Sequence, residues 1–238
     1  MIYEDLGIID YKKAWDYQEQ LLKKNVDIKT EARLASVNEI ATKHYFLLCE
    51  HMPVYTLGKS GNINNVLIDE KERMERDIQF FQTNRGGDIT FHGLQQIVGY
   101  PILDLEKFYT DIGKYLRNLE EIIILTIKEY GIEGRRSEGE TGVWISPGIK
   151  GEERKICAIG VRCSRWITMH GFALNVNTDL DYFKHIIPCG IVNKQVTSIE
   201  KETGSKVDYE EVKQKIKNNF EKVFQVELIR SSIVPVVI

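Results

Sequence analysis

Between residues 112 and 130 the apolar positions Ile112, Tyr115, Leu116, Leu119, Ile122, Ile123, Ile127 and Tyr130 recur at steps of three and four. That spacing puts them on one face of an amphipathic helix, with Asp111 available as N-cap and Gly131 as the residue that ends it. A second run of this kind spans 209–224, where Val212, Ile216, Phe220 and Val223 share a face. A looser one, with Trp15, Leu21 and Leu22 in a charged background, predicts a surface helix over 11–30. Elsewhere the apolar runs are short, aromatic-rich and bounded by charges or glycine, which predicts strands at 44–49, 53–57, 78–82 and 96–103. Pro101 removes a ladder donor, so the strand at 96–103 is expected at an edge or to end near it. Further strands are expected at 142–146, 155–163, 166–176 and 225–229, those at 155–163 and 166–176 forming a hairpin around Ser164 and Arg165. Strands outnumber helices and do not alternate with them strictly. The fold class expected is therefore α/β of the α+β type, a mixed β-sheet flanked by helices rather than a doubly wound parallel sheet. No internal repeat, low-complexity stretch or Pro/Ser-rich linker interrupts the chain, so 1–238 is expected to be a single domain.

Composition narrows the function. The 238 residues are 42% hydrophobic and 28% charged, enough apolar material for a packed core. Against 35 Asp+Glu stand 32 Lys+Arg, a net charge of −3, so there is no global positive field of the kind that holds a protein on nucleic acid. No segment approaches the ~18 apolar residues of a membrane span. The first ten residues carry Glu4, Asp5 and Asp10 and lack a basic start followed by an apolar stretch, so no signal peptide is read there and a cytoplasmic location is expected. Four cysteines, Cys49, Cys157, Cys163 and Cys189, are too few and too irregularly spaced for a disulfide framework or a CxxC metal site.

Three places concentrate residues that a core does not need. In RGGDITFH, Arg85 to His92, a glycine pair removes side chains where the backbone must turn or approach a ligand, among the polar Arg85, Asp88, Thr90 and His92. A glycine turn in a hairpin explains the segment equally well, and no Gly-Lys pair follows to make a phosphate loop. In RKICAIG, alternation puts Lys155, Cys157, Ile159 and Val161 on one face and Ile156, Ala158 and Gly160 on the other. Lys155 either extends from the strand end to solvent or is a lysine with a buried task. In IPCG, Cys189 lies between Pro188 and Gly190 in loop-like surroundings that would expose a thiol, whereas Cys49, Cys157 and Cys163 sit in strand patterns and read as core thiols. Such a thiol needs a nearby base or cation, for which Lys155, His92, His170 and His185 are available. His170 with Asn175 and Cys189 would make a Cys-His-Asn arrangement; a histidine that caps a strand is the alternative. His92, His170, His185 and Cys189 show no recognised zinc-ligand spacing, and no metal is expected.

Together, RGGDITFHG with a Gln shortly after, VGYPILDL, GVW, KICAIGV, HGFALNV and IIPCG occur in the order and approximate spacing of the lipoyl(octanoyl) transferase family. HMPVYTLGKSG upstream and VTSI downstream also resemble it, so the likeness covers roughly residues 46–200. The resemblance implies the fold of the biotin and lipoate protein ligase catalytic domain. It also implies transfer of an octanoyl group from the phosphopantetheine thioester of acyl carrier protein to a lysine of a lipoyl domain. Such domains occur in the E2 subunits of 2-oxoacid dehydrogenases and in the glycine cleavage H protein. Neither ATP nor metal is implied, because the acyl group arrives activated. Carried over by residue, the acyl-accepting cysteine falls on Cys189 and its lysine partner on Lys155. The substrate-binding segments fall on Arg85, Gly86, Gly87, Asp88, Ile89, Thr90, Phe91 and His92, on Ala158, Ile159 and Gly160, and on Gly171, Phe172 and Ala173. The small side chains Ala158, Gly160, Gly171 and Ala173 are expected to leave room for the acyl chain. The chain departs from the family's HGPGQ, reading HGLQQ with Leu94 and Gln95. An ATP-dependent lipoate or biotin ligase and a non-catalytic acyl-carrier module are the rival readings. A protein of charge −3 must receive acidic partners through local basic groups, with Arg135, Arg136, Arg154, Arg162 and Arg165 as candidates.

Overall fold

In the computed structural model, which describes residues 1–36, 40–187 and 195–231, the period-two strands and period-3.6 helices sort into three apolar clusters. The strands are β1 (Ile2–Ile8), β2 (Tyr45–Glu50), β3 (Val54–Leu57), β4 (Gln79–Gln82), β5 (Ile89–His92) and β6 (Gln96–Ile102). They continue with β7 (Gly134–Ser137), β8 (Glu140–Ile145), β9 (Arg154–Ser164), β10 (Ile167–Asn175), β11 (Gln195–Val196) and β12 (Ile229–Arg230). The helices are α1 (Tyr11–Leu34), α2 (Glu70–Glu75), α3 (Ile112–Lys128), α4 (Ile199–Thr203) and α5 (Tyr209–Phe224). Among the described residues the main sheet runs β12-β1-β2-β6-β10-β9-β8-β7, with β11 added alongside β9, and a smaller sheet runs β4-β3-β5. Parallel pairs (β1 with β2 and β12) and antiparallel pairs (β6 with β2 and β10) make the main sheet mixed, as expected.

Alternation decides which face each strand residue serves. Phe46 and Leu48 of β2, Ile97 of β6, and Phe172 and Leu174 of β10 pack under α3 and α5. Leu47, Cys49, Val98, Tyr100 and Ala173 point the other way, toward Ala14, Leu21 and Leu22 of α1. Because both faces are covered, the central strands read as nearly continuous apolar runs. Helix α3 starts where Asp111 accepts the Lys114 N–H at 2.9 Å and stops before Gly131, whose φ of +75° suits the chain reversal.

Several sequence expectations need correction. Strand β1 escaped prediction because it carries Glu4 and Asp5; Tyr17 Oη donates to Glu4 at 2.8 Å and Lys213 Nζ to Asp5 at 3.0 Å, partners far away in sequence. The last strand is Ile229–Arg230 rather than 225–229, since Gln225 is the left-handed C-cap of α5 at φ +55°. The turn of the β9–β10 hairpin is Arg165 and Trp166, both at positive φ, one residue beyond the expected pair. Strand β6 is central in the sheet rather than an edge, but it ends at Ile102, one residue past Pro101, as the second of the two expectations for that proline had it. Pro101 is tolerated there because the ladder to β10 stops at Gly99 and Phe172, before it. His170 is turned to φ +56° and its N–H donates to Gln18 Oε1 at 2.9 Å.

The β6–β10 approach is unusually close at Gly171, where a β-carbon would stand 2.1 Å from Gly99 O and 2.8 Å from Pro101 Cδ. Neither obstacle is a flexible side-chain end. Gly171→Ala should therefore cost about 3 kcal/mol and lower Tm by about 6–12 °C. A drop of less than about 2 °C in a thermal unfolding experiment would show that the strands can separate freely.

Candidate functional site

The segment 83–88 joins β4 to β5, yet these strands do not pair with each other; both pair with β3, β4 in parallel. It is therefore a crossover loop and not the turn of a hairpin, which corrects that reading of the glycine pair. The loop lies on β9: Gly86 N–H donates to Val161 O at 2.9 Å, and Gly160 carries no β-carbon because one would stand 2.8 Å from Gly86 O. From the other side Lys59 N–H donates to Arg85 O at 2.9 Å. Arg85, 8% exposed, donates to Thr56 O and Oγ1, to Asp88 O at 2.8 Å and to Gly86 O at 3.0 Å, so its charge is spent holding the loop's own carbonyls. Asp88 Oδ1 accepts the Ile89 and Asn62 N–H groups, which ties in the 62–65 turn.

Loop, sheet and α3 together enclose a cavity of about 660 Å³, within the range of small-molecule sites. Arg85, Gly86, Gly87, Asp88, Ile89, Thr90 and His92 line one wall. Ala158, Ile159 and Gly160 of β9 with Gly171, Phe172 and Ala173 of β10 form another, and Lys155 stands at its end. Phe91 does not belong. It is 1% exposed and stacks on Tyr182 at 4.6 Å in the core of the smaller sheet, because strand alternation turns it away from Thr90 and His92. The expectation that Gly160 and Gly171 leave space for a chain also needs correction: backbone fills both places, the loop's at Gly160 and that of β6 at Gly171. Apolar lining comes instead from Val98, Leu116, Ile159, Val161 and Phe172.

Lys155 reaches this cavity through a bulge. Val143 pairs with Cys157 but Trp144 pairs with Lys155, so Ile156 is an extra residue in β9. Simple alternation fails there: Ile156 and Cys157 both enter the core, and Lys155 turns toward the cavity with Nζ 4.5 Å over the Trp144 ring. Gly142, at φ +120°, makes room; a β-carbon on it would lie 2.6 Å from Cys157 O. Its N–H is fixed by the fully buried Glu120, which also binds Arg117 and Arg136. Burial raises the Glu120 carboxyl pKa, while the Gly142 N–H and the two arginines oppose that rise.

Two neutral histidines, His92 and His170, line the polar side of the cavity, and a third, His51, lies edge-on to His92 with the ring centroids 6.0 Å apart. Burial pushes His51 down to about 4 and His92 and His170 down to about 3, with neighbouring His51 and Arg85 adding to the effect at His92 and Arg85 and Arg162 at His170. Hydrogen-bond partners fix their tautomers. His51 donates from Nδ1 to Ile9 O and accepts the Tyr100 O–H, both at 2.8 Å. His170 donates from Nε2 to Asn84 Oδ1 at 2.7 Å. Asn175 is not its partner, for its amide donates to Thr197 O and accepts from Gln96; the Cys-His-Asn reading loses its His–Asn contact. Tyr11, Gln96, Val98, Tyr100, Leu116 and Glu140 line the cavity without having been singled out in the sequence. For Gln96 the signal was present, since a Gln shortly after the RGGDITFHG motif is part of the resemblance, and Gln96 stands three residues beyond Gly93.

Cys189 lies outside the described residues. Before it, Ile187 N–H donates to Asn65 O at 2.8 Å; after it, Val196, which lines the cavity, pairs with Lys155, and Thr197 N–H donates to Lys155 O at 2.9 Å. Cys49 and Cys157 are fully buried and desolvation raises their thiol pKa; Cys163 is half-buried and shifted the same way. These three suit core thiols. No group of three His, Cys, Asp or Glu side chains that could hold a metal ion occurs among the described residues, and no helix among them is long and apolar enough to cross a membrane.

The docking arginines fare less well. Arg154 makes a bidentate pair with Glu202, Arg162 pairs with Glu19, and Arg136 with Glu120 and Glu121. Arg135 faces Glu133, and Arg165 donates to Thr30 Oγ1. Arg162 and Arg165 also lie seven and ten residues along the chain from Lys155, on the order of 20–30 Å in a strand. Most of the proposed docking charge is thus neutralised internally.

Comparison with known proteins gives the family of the chain. Residues 10–221 match the model of the lipoyl protein ligase A/B catalytic domain. An octanoyltransferase of Christiangramia forsetii is 58% identical over 225 residues, 94% of this chain and 95% of that protein. One of Flavobacterium psychrophilum is 58% identical over 227 residues, covering 95% and 97%. The bipartite lipoate protein ligase of Thermoplasma acidophilum, at 15% identity, superposes with a TM-score of 0.68 over 99% of this chain and 89% of that one, a likeness of fold. With a family match across most of its length and relatives of this identity, the chain belongs to the lipoyl protein ligase A/B catalytic domain family.

Proposed function

We propose that this chain is an octanoyltransferase that moves an octanoyl group from octanoyl-acyl carrier protein to a lysine of a lipoyl domain, through a thioester on Cys189. The observation that carries the reading is the β9 bulge, which turns Lys155 into the cavity lined by the glycine loop, where Val196 and Thr197, just after the 188–194 segment, bind its backbone. The Cys189 thiolate, favoured by the Lys155 cation or formed by proton transfer to its amine, attacks the thioester carbonyl of the donor. The phosphopantetheine thiolate leaves and takes a proton. The acceptor amine then attacks the enzyme thioester, the Cys189 thiolate departs, and the proton lost by the amine passes to the Lys155–Cys189 pair. Backbone N–H groups of the glycine-containing loops are the donors available to a tetrahedral oxyanion. One thioester replaces another and an amide replaces the second, so neither ATP nor a metal enters the balance. The acceptors proposed are the lipoyl domains of 2-oxoacid dehydrogenase E2 subunits and the glycine cleavage H protein.

Intact mass after incubation with octanoyl-acyl carrier protein, ATP omitted, tests this. The chain should gain one octanoyl group that hydroxylamine removes and that Cys189→Ala does not acquire. An unmodified wild-type chain would overturn the mechanism.

A further inference from the structure

A single line of side-chain hydrogen bonds crosses the cavity floor, and every donor in it points the same way. Arg85 Nη2 donates to Thr56 Oγ1 at 2.9 Å, and the Thr56 O–H lies 3.3 Å from His92 Nε2. His92 Nδ1 lies 2.9 Å from Gln96 Oε1, which can only accept, so the proton is on Nδ1 and Nε2 takes the threonine hydroxyl. Gln96 Nε2 donates to Asn175 Oδ1 at 2.9 Å, and Asn175 Nδ2 donates to Thr197 O at 2.9 Å. All six residues are buried, none more than 8% exposed. The line begins in the glycine loop and ends on the residue whose N–H is bonded to the Lys155 carbonyl.

We propose that Gln96 is a positioning residue of this site: it holds His92 in the Nδ1-protonated tautomer and couples the Arg85–His92 wall to Thr197 and so to the Lys155 backbone. The proposal rests on the acyl-transfer reading above. Gln96 suits the task because a carboxamide accepts on one side and donates on the other, and its second N–H is held by Phe91 O at 3.1 Å, which prevents it from flipping. Reversal of any one amide would set two donors or two acceptors face to face in a buried row. His92 cannot relieve such a conflict by taking a second proton, since burial disfavours the charged ring, His51 and Arg85 stand close by, and Tyr11 stacks on it at 5.9 Å.

The test compares Gln96→Met and Gln96→Glu with the wild type. Wild-type adduct formation without ATP is established first; its absence defeats the transferase reading and says nothing against Gln96. The rate at which a preformed adduct passes its octanoyl group to an acceptor lysine is then measured per acylated chain, which removes any unfolded fraction. Gln96→Met should slow this step on the order of 100-fold, the scale of a small misplacement, with the acceptor KM within about twofold. ¹⁵N NMR of the His92 ring should show the Nδ1–H tautomer in the wild type and a mixture in Gln96→Met. Gln96→Glu keeps an acceptor for His92 but adds a charge beside it, so its transfer rate, divided by that of the wild type at each pH, should titrate between about 5 and 8. Transfer within twofold of wild type in both variants overturns the proposal. So does an Nε2–H tautomer in the wild type, a measurement that stands even if Gln96→Met fails to fold.

Discussion

Octanoyl transfer by a Lys155→Met chain should fall by about three orders of magnitude at pH 7. Methionine keeps the length and apolar contact of the side chain against Trp144, so what is removed is the charge and the exchangeable protons. A cysteine without a cationic neighbour has a pKa of about 8.5 and is only about 3% thiolate at pH 7, which alone costs up to about 30-fold in the first step. The second step loses the group that receives the proton of the attacking amine, worth about 10²–10⁴. The signature is in the pH dependence. Single-turnover acylation of the variant should rise about tenfold per pH unit up to about 8.5, where thiolate forms unaided, while the wild type stays nearly level across that range. A variant within threefold of wild type at pH 7 would mean that Lys155 serves only to fill its place.

The second large effect is on stability. His51, His92 and His170 are neutral and buried, with folded pKa values of about 4, 3 and 3 against an ordinary 6.5. Between those values the unfolded chain binds protons that the folded chain excludes, so stability rises with pH through this window. It is fully present above about 6.5 and lost as pH falls toward the folded values. Lowering the pH from 7.5 to 5.5 should therefore cost about 4 kcal/mol, about 1.4 for each histidine, with most carboxylates still ionised. Urea unfolding at the two pH values measures it, and His51→Gln should shrink the loss by about a third. A midpoint that does not move between pH 7.5 and 5.5 would place these rings in contact with water.

Helix α3 was legible because its period, cap and stop all lie within twenty residues. Strand β7 was not, since GRRS carries no apolar alternation and is strand only because β8 pairs with it. Lys155 shows the limit most clearly. Alternation assigned it to the face of Cys157, and the bulge that moves it is visible only in its pairing with Trp144. Pro101 was half legible: it marks the end of β6, but that the strand lies in the middle of the sheet depends on pairing with β10, much later in the chain. The glycine loop was found as a motif, but its attachment to β9 depends on an absent β-carbon at Gly160, which a sequence records only as a small residue. Alternation along β5 puts Phe91 on the face away from Thr90 and His92, but it would have excluded Ile89 too, which lines the cavity from the start of the strand.

Where Gly86 and Gly160 meet, and again at Gly171 against Gly99, main chain rests on main chain. Those parts of the enclosure cannot be rewritten by ordinary genetic change, because every codon step away from glycine adds an atom where there is no room. Drift in the acyl group accepted is thereby channelled to the few positions whose side chains face the interior, Leu116, Ile159 and Val161 among them. The fold thus separates a fixed frame from an adjustable lining, and the length of chain it takes can change over evolutionary time without putting folding at risk.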